Sequence, residues 1–337
     1  LTVIKTKDFR FKSMKYKENG YHLFNLYAFS IVHKYRPNYK VFKSKKYNNI
    51  VPYFDAMAYK MNKKHNWIYN KLLLGQFNNI NCYPEGVLPD KNDYPIFSKP
   101  IMNFSGFSRG SFTINNEKEF KEGYRPGNFW TRKFKGQHLI YDLVINKGKI
   151  EYYGILKAHP GKNGTFEMFE TMIDLKPTKK IYSFVKKYFN DYVGPMNLEM
   201  IDDNFIEGHL RFNGDNYAVP EEIFKKTSIL MKKGYFNSKQ KKYNRKEYIF
   251  PVFCHPKYNP DFDKILKLIK GKVLTYRFNK DKYSYTSPGG KRYVIFNILN
   301  KEEGIEIKKK IKQIIENDYN LYQNIFIIFL ILIIVKL

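Results

Sequence analysis

Two pairs of short runs in which apolar and polar residues alternate occupy the middle of the chain. The first pair is HLIYDLVI (138–145) and KIEYYGILKAH (149–159), joined by Asn146-Lys147-Gly148. The second pair is PMNLEMI (195–201) and FIEGHLRF (205–212), joined through Asp202-Asp203-Asn204. Alternation at a period of two, with a short polar or glycine-containing connection, is typical of antiparallel strand pairs. Both segments are therefore predicted to be β-hairpins.

Other segments follow different patterns. Apolar residues at helical spacing predict helices in NWIYNKLLLGQF (66–77) and in KKIYSFVKKYFNDY (179–192). A short strand is predicted for PIFSKP (95–100), and a turn of small residues leads into a strand in NFSGFSRGSFTI (103–114). The remaining predictions are a helix, or a strand running into a helix, over 21–35, a loop and helix over 257–271, two or three strands over 273–299 and a helix over 302–318.

Composition places the chain among globular proteins. Of its 337 residues, 43% are hydrophobic and 18% aromatic, and this length suits two or three domains. Lysine and arginine number 60 against 31 acidic residues, a net charge of +29 that favours anionic partners. Three interpretations of this charge remain open: lysines on solvated faces of a protein from an AT-rich genome, a nucleic-acid surface, or steering of an anionic substrate.

The two cysteines indicate the redox compartment, and each end of the chain has an unusual feature. Cys82 and Cys254 are far apart and lack metal-ligand spacing, which argues against a disulfide framework or zinc site and favours a reducing compartment. The chain begins with Leu1, as expected of an N-terminal fragment or of a non-AUG start. An apolar run, IFIIFLILIIV (325–335), is short for a bilayer span, which needs about 20 residues. A buried terminal element, a membrane tail and a translation artefact all remain open.

The second predicted hairpin carries the candidate chemistry. Glu199 and Glu207 lie on its two strands, and His209 and Arg211 follow. Two carboxylates facing the same way could hold a hard divalent cation such as Mg²⁺, and a nearby arginine could balance charge on a phosphoryl group. The alternative is a surface hairpin whose acids pair with nearby lysines.

This segment resembles the closing motif of the ATP-grasp superfamily, in which an acid on one strand is followed by Glu-x-Asn-x-Arg and a glycine. Glu199, Glu207, Arg211 and Gly214 fall on that pattern. Upstream segments resemble further family motifs in the same order, over roughly residues 66–216. They are Asn70-Lys71, the strand Tyr94–Pro100 with Lys99, the glycine-rich loop Ser105–Gly110, and the hinge and strand Phe134–Asp142.

The resemblance implies an α+β fold in which two α+β subdomains clamp ATP. It implies the ATP-grasp domain over 66–219, after an N-terminal α/β region over 1–65 that is short and open to truncation. The change of sequence pattern after residue 220 and the apolar run predict an extra C-terminal α+β module over 220–318 and a hydrophobic tail over 319–337. The resemblance also implies roles for individual residues. ATP would be bound by Lys71, Lys99, Ser105, Gly106, Gly110, Lys133 and Phe134, metal would be held by Glu199, Glu207 and His209, and Arg211 and Lys157 would be catalytic.

Departures from the family pattern affect the same site. His209 stands where the family has an asparagine ligand, and imidazole suits Mn²⁺ or Zn²⁺ better than Mg²⁺. His138 replaces a usual glutamate, and Arg132-Lys133 stand where an acidic residue is common. These changes leave open a divergent or inactive member.

The function implied by the resemblance is an ATP-dependent ligase. It would activate a carboxylate as an acylphosphate for attack by an amine or thiol, with Mg²⁺ or Mn²⁺, in the cytoplasm, and a homodimer is compatible with it. One alternative is an idle ATP-grasp scaffold that binds nucleic acid, although the dispersed charge argues against this. Another is a tail-anchored protein that binds nucleotide.

Overall fold

The computed structural model describes residues 50–52, 54–104, 108–123, 125–214, 219–279, 286–287 and 289–317. The predicted elements at 21–35 and 325–335 lie outside these residues. The helices are α1 (Asp55–Met61), α2 (Lys71–Phe77), α3 (Glu117–Glu122), α4 (Lys179–Tyr188), α5 (Glu221–Lys233), α6 (Phe262–Ile269) and α7 (301–317). Short 3₁₀ helices span Asn66–Tyr69 and Lys91–Asp93.

The strands form two antiparallel sheets. They are β1 (Cys82–Pro84), β2 (Ile96–Pro100), β3 (Phe112–Ile114), β4 (Asn128–Arg132), β5 (His138–Asn146), β6 (Lys149–Pro160), β7 (Phe166–Thr171), β8 (Val193–Ile201), β9 (Asn204–His209), β10 (Tyr248–Cys254), β11 (Thr275–Phe278), β12 (Thr286–Ser287) and β13 (Gly290–Ile298). Within the described residues, the small sheet has the order β1-β4-β2-β3. The large sheet has the order β11-β13-β10-β7-β6-β5-β8-β9, with β12 paired to β13.

Both predicted hairpins are confirmed, and their turns have the expected backbone. Lys147 and Gly148 adopt positive φ between β5 and β6, and Asp202 and Asp203 do so between β8 and β9. Two consecutive residues at positive φ match the right-handed twist of the flanking strands. The turn between β8 and β9 sets the pairs Ile201–Asn204 and Met200–Phe205, and a bulge between Met200 and Glu199 then places Glu199 opposite Glu207.

Each face of the large sheet is covered by a helix. Helix α4 packs Ile181, Phe184 and Val185 against the face that carries Tyr141 and Leu198. The opposite face carries Ile140 and Leu156 and is covered by residues of α5, among them Ile223 and Leu230. The small sheet has its own core of Ile96, Ile114, Phe120 and Trp130.

The helix predicted over 66–77 is divided in two at Asn70. Its side-chain oxygen accepts a hydrogen bond from the backbone N–H of Leu73 at 2.9 Å, which caps α2. Ile68, Tyr69 and Leu74 enter the core of the large sheet, and Ala58 of α1 joins them. The segment before residue 66 thus packs on the same core as the segment after it.

Strands that follow residue 220 extend the large sheet. The residues Tyr248 and Ile249 of β10 pair with Glu170 and Phe169 of β7, and β13 and β11 continue beyond β10. The predicted C-terminal module therefore shares a sheet with the predicted ATP-grasp part, and the division at 219/220 stays a prediction. Within the described part of the chain, no helix has both the length and the apolar character needed to cross a bilayer.

Candidate functional site

The three predicted metal ligands meet on one face of the large sheet. Glu199 pairs with Glu207 and Asn197 pairs with His209, and directly paired residues point to the same face. One ligand atom of each of Glu199, Glu207 and His209 lies within 4.8 Å of the others. Bonds of about 2.1 Å to one cation place neighbouring ligand atoms roughly 3 to 4 Å apart. The donor set and its spacing therefore fit a divalent cation.

Both carboxylates have basic partners. The Nε2 atom of His138 lies 3.0 Å from Oε2 of Glu199. Glu207 Oε1 lies 2.8 Å from the Lys71 ammonium and 3.4 Å from Nε2 of His209. Burial alone would raise the pKa of the Glu207 carboxyl, but Lys71 and His209 hold it well below its usual value. Glu207 is therefore ionised and charge-balanced.

Lys99 joins the small sheet to this site. It lies on β2, is almost fully buried, and its ammonium donates to the carbonyl oxygen of Ile206 on β9 at 2.9 Å. Burial and the nearby Lys71 lower the pKa of Lys99 to about 7, although Glu207 and Glu199 act in the opposite direction. An anion such as a phosphate would stabilise the charged form of a lysine held in this state.

The described part of the predicted phosphate loop is tied to the small sheet. Gly110 has a φ of +70°, and a Cβ there would lie 3.0 Å from the ring of Pro100, so this position favours glycine. Its carbonyl oxygen accepts a hydrogen bond from the Asn128 side chain at 3.0 Å, and Asn128 also donates to Ser98 at 2.9 Å. The predicted ligands Ser105 and Gly106 lie outside the described residues.

The predicted hinge links the two sheets. Lys133 is exposed and Phe134 is half-buried, in the connection from β4 to β5. The backbone N–H of Lys133 donates to Pro95 O at 3.3 Å. Gly136 has a φ of +127° and lies so close to Asp202 that a Cβ would come within 2.7 Å of the Asp202 Cβ. The hinge thus contacts the turn that presents Glu199 and Glu207, and its role in ATP binding stays a prediction.

Lys157 is not brought together with the metal ligands. It pairs with Leu139, whereas the next residue, Ile140, pairs with Glu199. Successive residues of a strand point to opposite faces, so Lys157 and Glu199 leave the sheet on opposite sides. This placement does not favour the predicted catalytic role of Lys157.

Arg211 forms an ion pair instead of standing open to a ligand. Its Nη2 atom lies 2.7 Å from Oδ2 of Asp55, and Nη1 donates to Phe212 O at 3.1 Å. The other Asp55 oxygen lies 2.9 Å from Nδ1 of His209. Burial alone would raise the pKa of the Asp55 carboxyl, but Arg211 and His209 lower it well below its usual range. The predicted role of Arg211 at a phosphoryl group must therefore compete with this pair.

Sequence reasoning missed Asp55 and the contact of His138 with Glu199. It also missed Tyr69, whose hydroxyl accepts the backbone N–H of Leu210 at 3.1 Å and whose ring lies edge-on to His209. Asp55 opens a short helix that is 154 residues from His209, so no local spacing relates them. For His138 the signal was available, because it stands in a motif position that normally carries a glutamate.

Comparisons with known proteins identify the fold. No protein-family model matches the chain, and no curated protein matches it in sequence. Solved structures do match. A carboxyaminoimidazole ribonucleotide synthase from Aspergillus clavatus, in complex with ATP, has a TM-score of 0.53 and 11% identity over 72% of this chain and 74% of its own. An L-amino acid ligase from Bacillus licheniformis has a TM-score of 0.51 and 14% identity over 77% and 72%.

A third match is the biotin carboxylase domain of a 2-oxoglutarate carboxylase from Hydrogenobacter thermophilus, a dimer in complex with MgADP, ADP and bicarbonate. Its TM-score is 0.50, with 13% identity over 76% of this chain and 68% of its own. These three are ATP-grasp enzymes. Identities this low establish the fold alone, and the architecture agrees with the α+β fold expected from the sequence. The chain therefore has the ATP-grasp fold.

Proposed function

We propose that this protein is an ATP-dependent ligase that activates a carboxylate for attack by an amine or thiol. The observation that carries the proposal is the meeting of Glu199, Glu207 and His209 with two lysines from different parts of the fold. Lys71 contacts Glu207 directly, and Lys99 reaches the neighbouring carbonyl from the small sheet. Carboxylates for a cation and buried ammonium groups for phosphates are what binding of a metal–ATP complex requires.

The reaction transfers the γ-phosphoryl group to the substrate. A carboxylate oxygen attacks the γ-phosphorus, the bond to the β–γ bridging oxygen breaks, and ADP leaves. The amine or thiol then attacks the carbonyl carbon of the acylphosphate, phosphate leaves and the nucleophile loses a proton. Lys71 and Lys99 would bind and orient the phosphates, and Glu199, Glu207 and His209 would hold Mg²⁺ or Mn²⁺. The bound cation would supply charge neutralisation between the phosphates.

Calorimetric titration of ATP tests this proposal, with and without Mg²⁺ and Mn²⁺. We expect metal-dependent binding that Glu207→Gln weakens by about 100-fold, because the variant loses a ligand and leaves Lys71 without its anion. Glu151→Gln is the matched control, since Glu151 lies on the same sheet and accepts from Lys149 at 3.1 Å. A screen of carboxylates with amines and thiols for ADP release would follow. Absence of ATP binding with either metal would reject the ligase and favour the scaffold that binds nucleic acid.

Lys99 gives ATP binding an expected pH signature. Its pKa of about 7 leaves it mostly uncharged at pH 8, and bound phosphates would raise that pKa. Binding at pH 8 should therefore take up about one proton per ATP. The uptake should fall to about half at pH 7 and disappear near pH 5, where Lys99 is already charged in the free protein. Calorimetry in buffers with different ionisation enthalpies measures it.

Lys99→Arg is the control for this prediction, because guanidinium stays charged at each of these pH values. Equal proton uptake by wild type and Lys99→Arg at pH 8 would assign the proton to another group.

A further inference from the structure

Asp55, His209 and Arg211 form a chain of buried contacts beside the proposed metal ligands. Asp55 Oδ1 lies 2.9 Å from Nδ1 of His209, and Asp55 Oδ2 lies 2.7 Å from Nη2 of Arg211. The side chains are only 13%, 6% and 13% exposed, in the order Asp55, His209 and Arg211. Both oxygens of the Asp55 carboxylate therefore have a partner, one in the candidate metal ligand His209 and one in the guanidinium group of Arg211.

We propose that Asp55 is a positioning residue of the metal site, anchored by Arg211. Its carboxylate accepts the Nδ1–H of His209 and thereby presents Nε2 to a cation held by Glu199 and Glu207. The resulting donor set of two carboxylates and one oriented imidazole prefers Mn²⁺ to Mg²⁺. This inference rests on the proposed function and concerns the metal that the ATP site takes.

The tautomer of His209 follows from its neighbours. An ionised carboxylate is only an acceptor, so a bare Nδ1 at 2.9 Å from Asp55 would place two lone pairs against each other. Arg211 Nη2 is farther from Nδ1, at 3.3 Å, and is better placed to donate to Asp55. Nδ1 therefore carries hydrogen, which leaves Nε2 as the nitrogen that would bind a cation. Nε2 is also the nitrogen that faces Glu207, at 3.4 Å.

The position of the ring is fixed as well as its tautomer. Tyr69 packs edge-on against His209, with ring centroids 5.6 Å apart, and its hydroxyl accepts the N–H of Leu210. A carboxylate that holds the far nitrogen of a ligating histidine raises the basicity of the near one, and its loss costs about 10- to 100-fold in metal affinity. Imidazole favours the later divalent ions, whereas Mg²⁺ favours oxygen ligands.

A purely structural role for Asp55 makes a different prediction. In that case the ion pair with Arg211 would stabilise the fold, and metal affinity would not depend on Asp55. Measuring the binding of Mn²⁺ to a folded Asp55 variant distinguishes the two roles. This measurement needs neither substrate nor turnover.

Electron paramagnetic resonance of Mn²⁺ tests the inference on the full chain, with Mn²⁺ alone and with a non-hydrolysable ATP analogue. Pulsed spectra of the wild type should contain coupling to a directly bound nitrogen, and His209→Asn should remove it. Asp55→Asn and Asp55→Ala should weaken Mn²⁺ binding by about 10- to 100-fold and Mg²⁺ binding by less. Asp191→Asn is the matched control and should change neither, because Asp191 pairs with Nε2 of another histidine, His65, at 3.0 Å.

The outcomes are distinguishable. Mn²⁺ bound together with the analogue, but without nitrogen coupling, would overturn this inference and leave the ligase proposal standing. Unchanged Mn²⁺ affinity in folded Asp55→Ala would assign Asp55 a structural role and overturn it too. Failure of the wild type to bind both Mn²⁺ and the analogue would reject the ligase proposal together with the inference.

Discussion

Arg211→Met should lower the free energy of unfolding by about 3 kcal/mol, because it leaves the Asp55 carboxylate buried with one partner fewer. Breaking a buried ion pair from one side typically costs about 3–5 kcal/mol. We expect a loss near the lower value because His209, 2.9 Å from Asp55, remains as its second partner. Methionine keeps much of the apolar stem of arginine, so lost packing contributes little. Urea unfolding at pH 7 measures the change.

Two further variants identify the cause of that loss. Lys225→Met removes one partner of an exposed pair on α5, where Lys225 and Glu221 are 2.9 Å apart, and should cost at most about 0.5 kcal/mol. The double variant Arg211→Met/Asp55→Asn removes both charges and should regain most of the stability. If the single variant is as stable as Lys225→Met, the buried pair does not hold this part of the fold together.

The same double variant addresses the catalytic role predicted for Arg211. If turnover falls further in the double variant than in Asp55→Asn alone, with no further loss of Mn²⁺ affinity, Arg211 touches the substrate. Turnover that falls only in proportion to Mn²⁺ affinity would mean that Arg211 acts through Asp55 and His209.

The meeting of the three predicted metal ligands was accessible from the sequence because all three lie on one hairpin, and their role as ligands stays a prediction. The two-residue turn sets the pairs Ile201–Asn204 and Met200–Phe205, and a bulge after them places Glu199 opposite Glu207. His209 follows on the same face, opposite Asn197. The elements around the site followed from equally local patterns, as in the strand that carries Lys99 and the helix that begins at Lys71. The order of the motifs along the chain then predicted the fold, since each motif resembled a separate part of one known architecture.

Contacts between distant segments could not be predicted in the same way. Asp55 reaches His209 and Arg211 through the packing of α1 on the core near Tyr69, which no spacing in the sequence encodes. Lys157 shows how much depends on which of the two sheet faces a strand residue occupies. Moving by one residue along β6 moves the side chain to the other face of the sheet. The alternating pattern separates the residues of the two faces, but it does not indicate which face lines the site.

Strand β10 was not predicted, and Pro251 within it explains why. Proline removes a ladder donor and argues against a central strand. In the structure β7 pairs only with Tyr248 and Ile249 of β10, so Pro251 lies beyond the paired residues on that side. The proline is tolerated on that side because the pairing of β10 with β7 ends before it.

The site also explains why acids gather in so basic a chain. Each carboxylate is held by a base from another element: Glu199 by His138, Glu207 by Lys71, and Asp55 by Arg211. For Glu207 and Asp55 such pairing lowers the pKa of the carboxyl despite burial, which favours the ionised state. Lys99 is the base whose pKa is lowered, and it is the one expected to respond to phosphate.

Gly208→Val should impair the site by moving a helix rather than by removing a ligand. Gly208 lies between Glu207 and His209, and a Cβ there would meet Ile68 Cγ1 at 2.6 Å on the face opposite the ligands. Ile68 precedes Tyr69 and α2, so valine should push Lys71 away from Glu207 and Tyr69 away from Leu210. Overpacking of this kind costs about 1–3 kcal/mol in the free energy of unfolding. Mn²⁺ affinity should also fall, by about tenfold, because Tyr69 no longer fixes the His209 ring.

Gly154→Val is the matched control, because Gly154 lies in the middle of β6 in the same sheet and abuts the ring of Tyr243. It should destabilise the protein at least as much as Gly208→Val, yet leave the affinity of the folded fraction for Mn²⁺ near that of the wild type. The comparison is made at a temperature where both variants are folded by circular dichroism. Equal losses of Mn²⁺ affinity in the two variants would mean that general loosening of the sheet, and not displacement of the segment that carries Tyr69 and Lys71, governs the metal site.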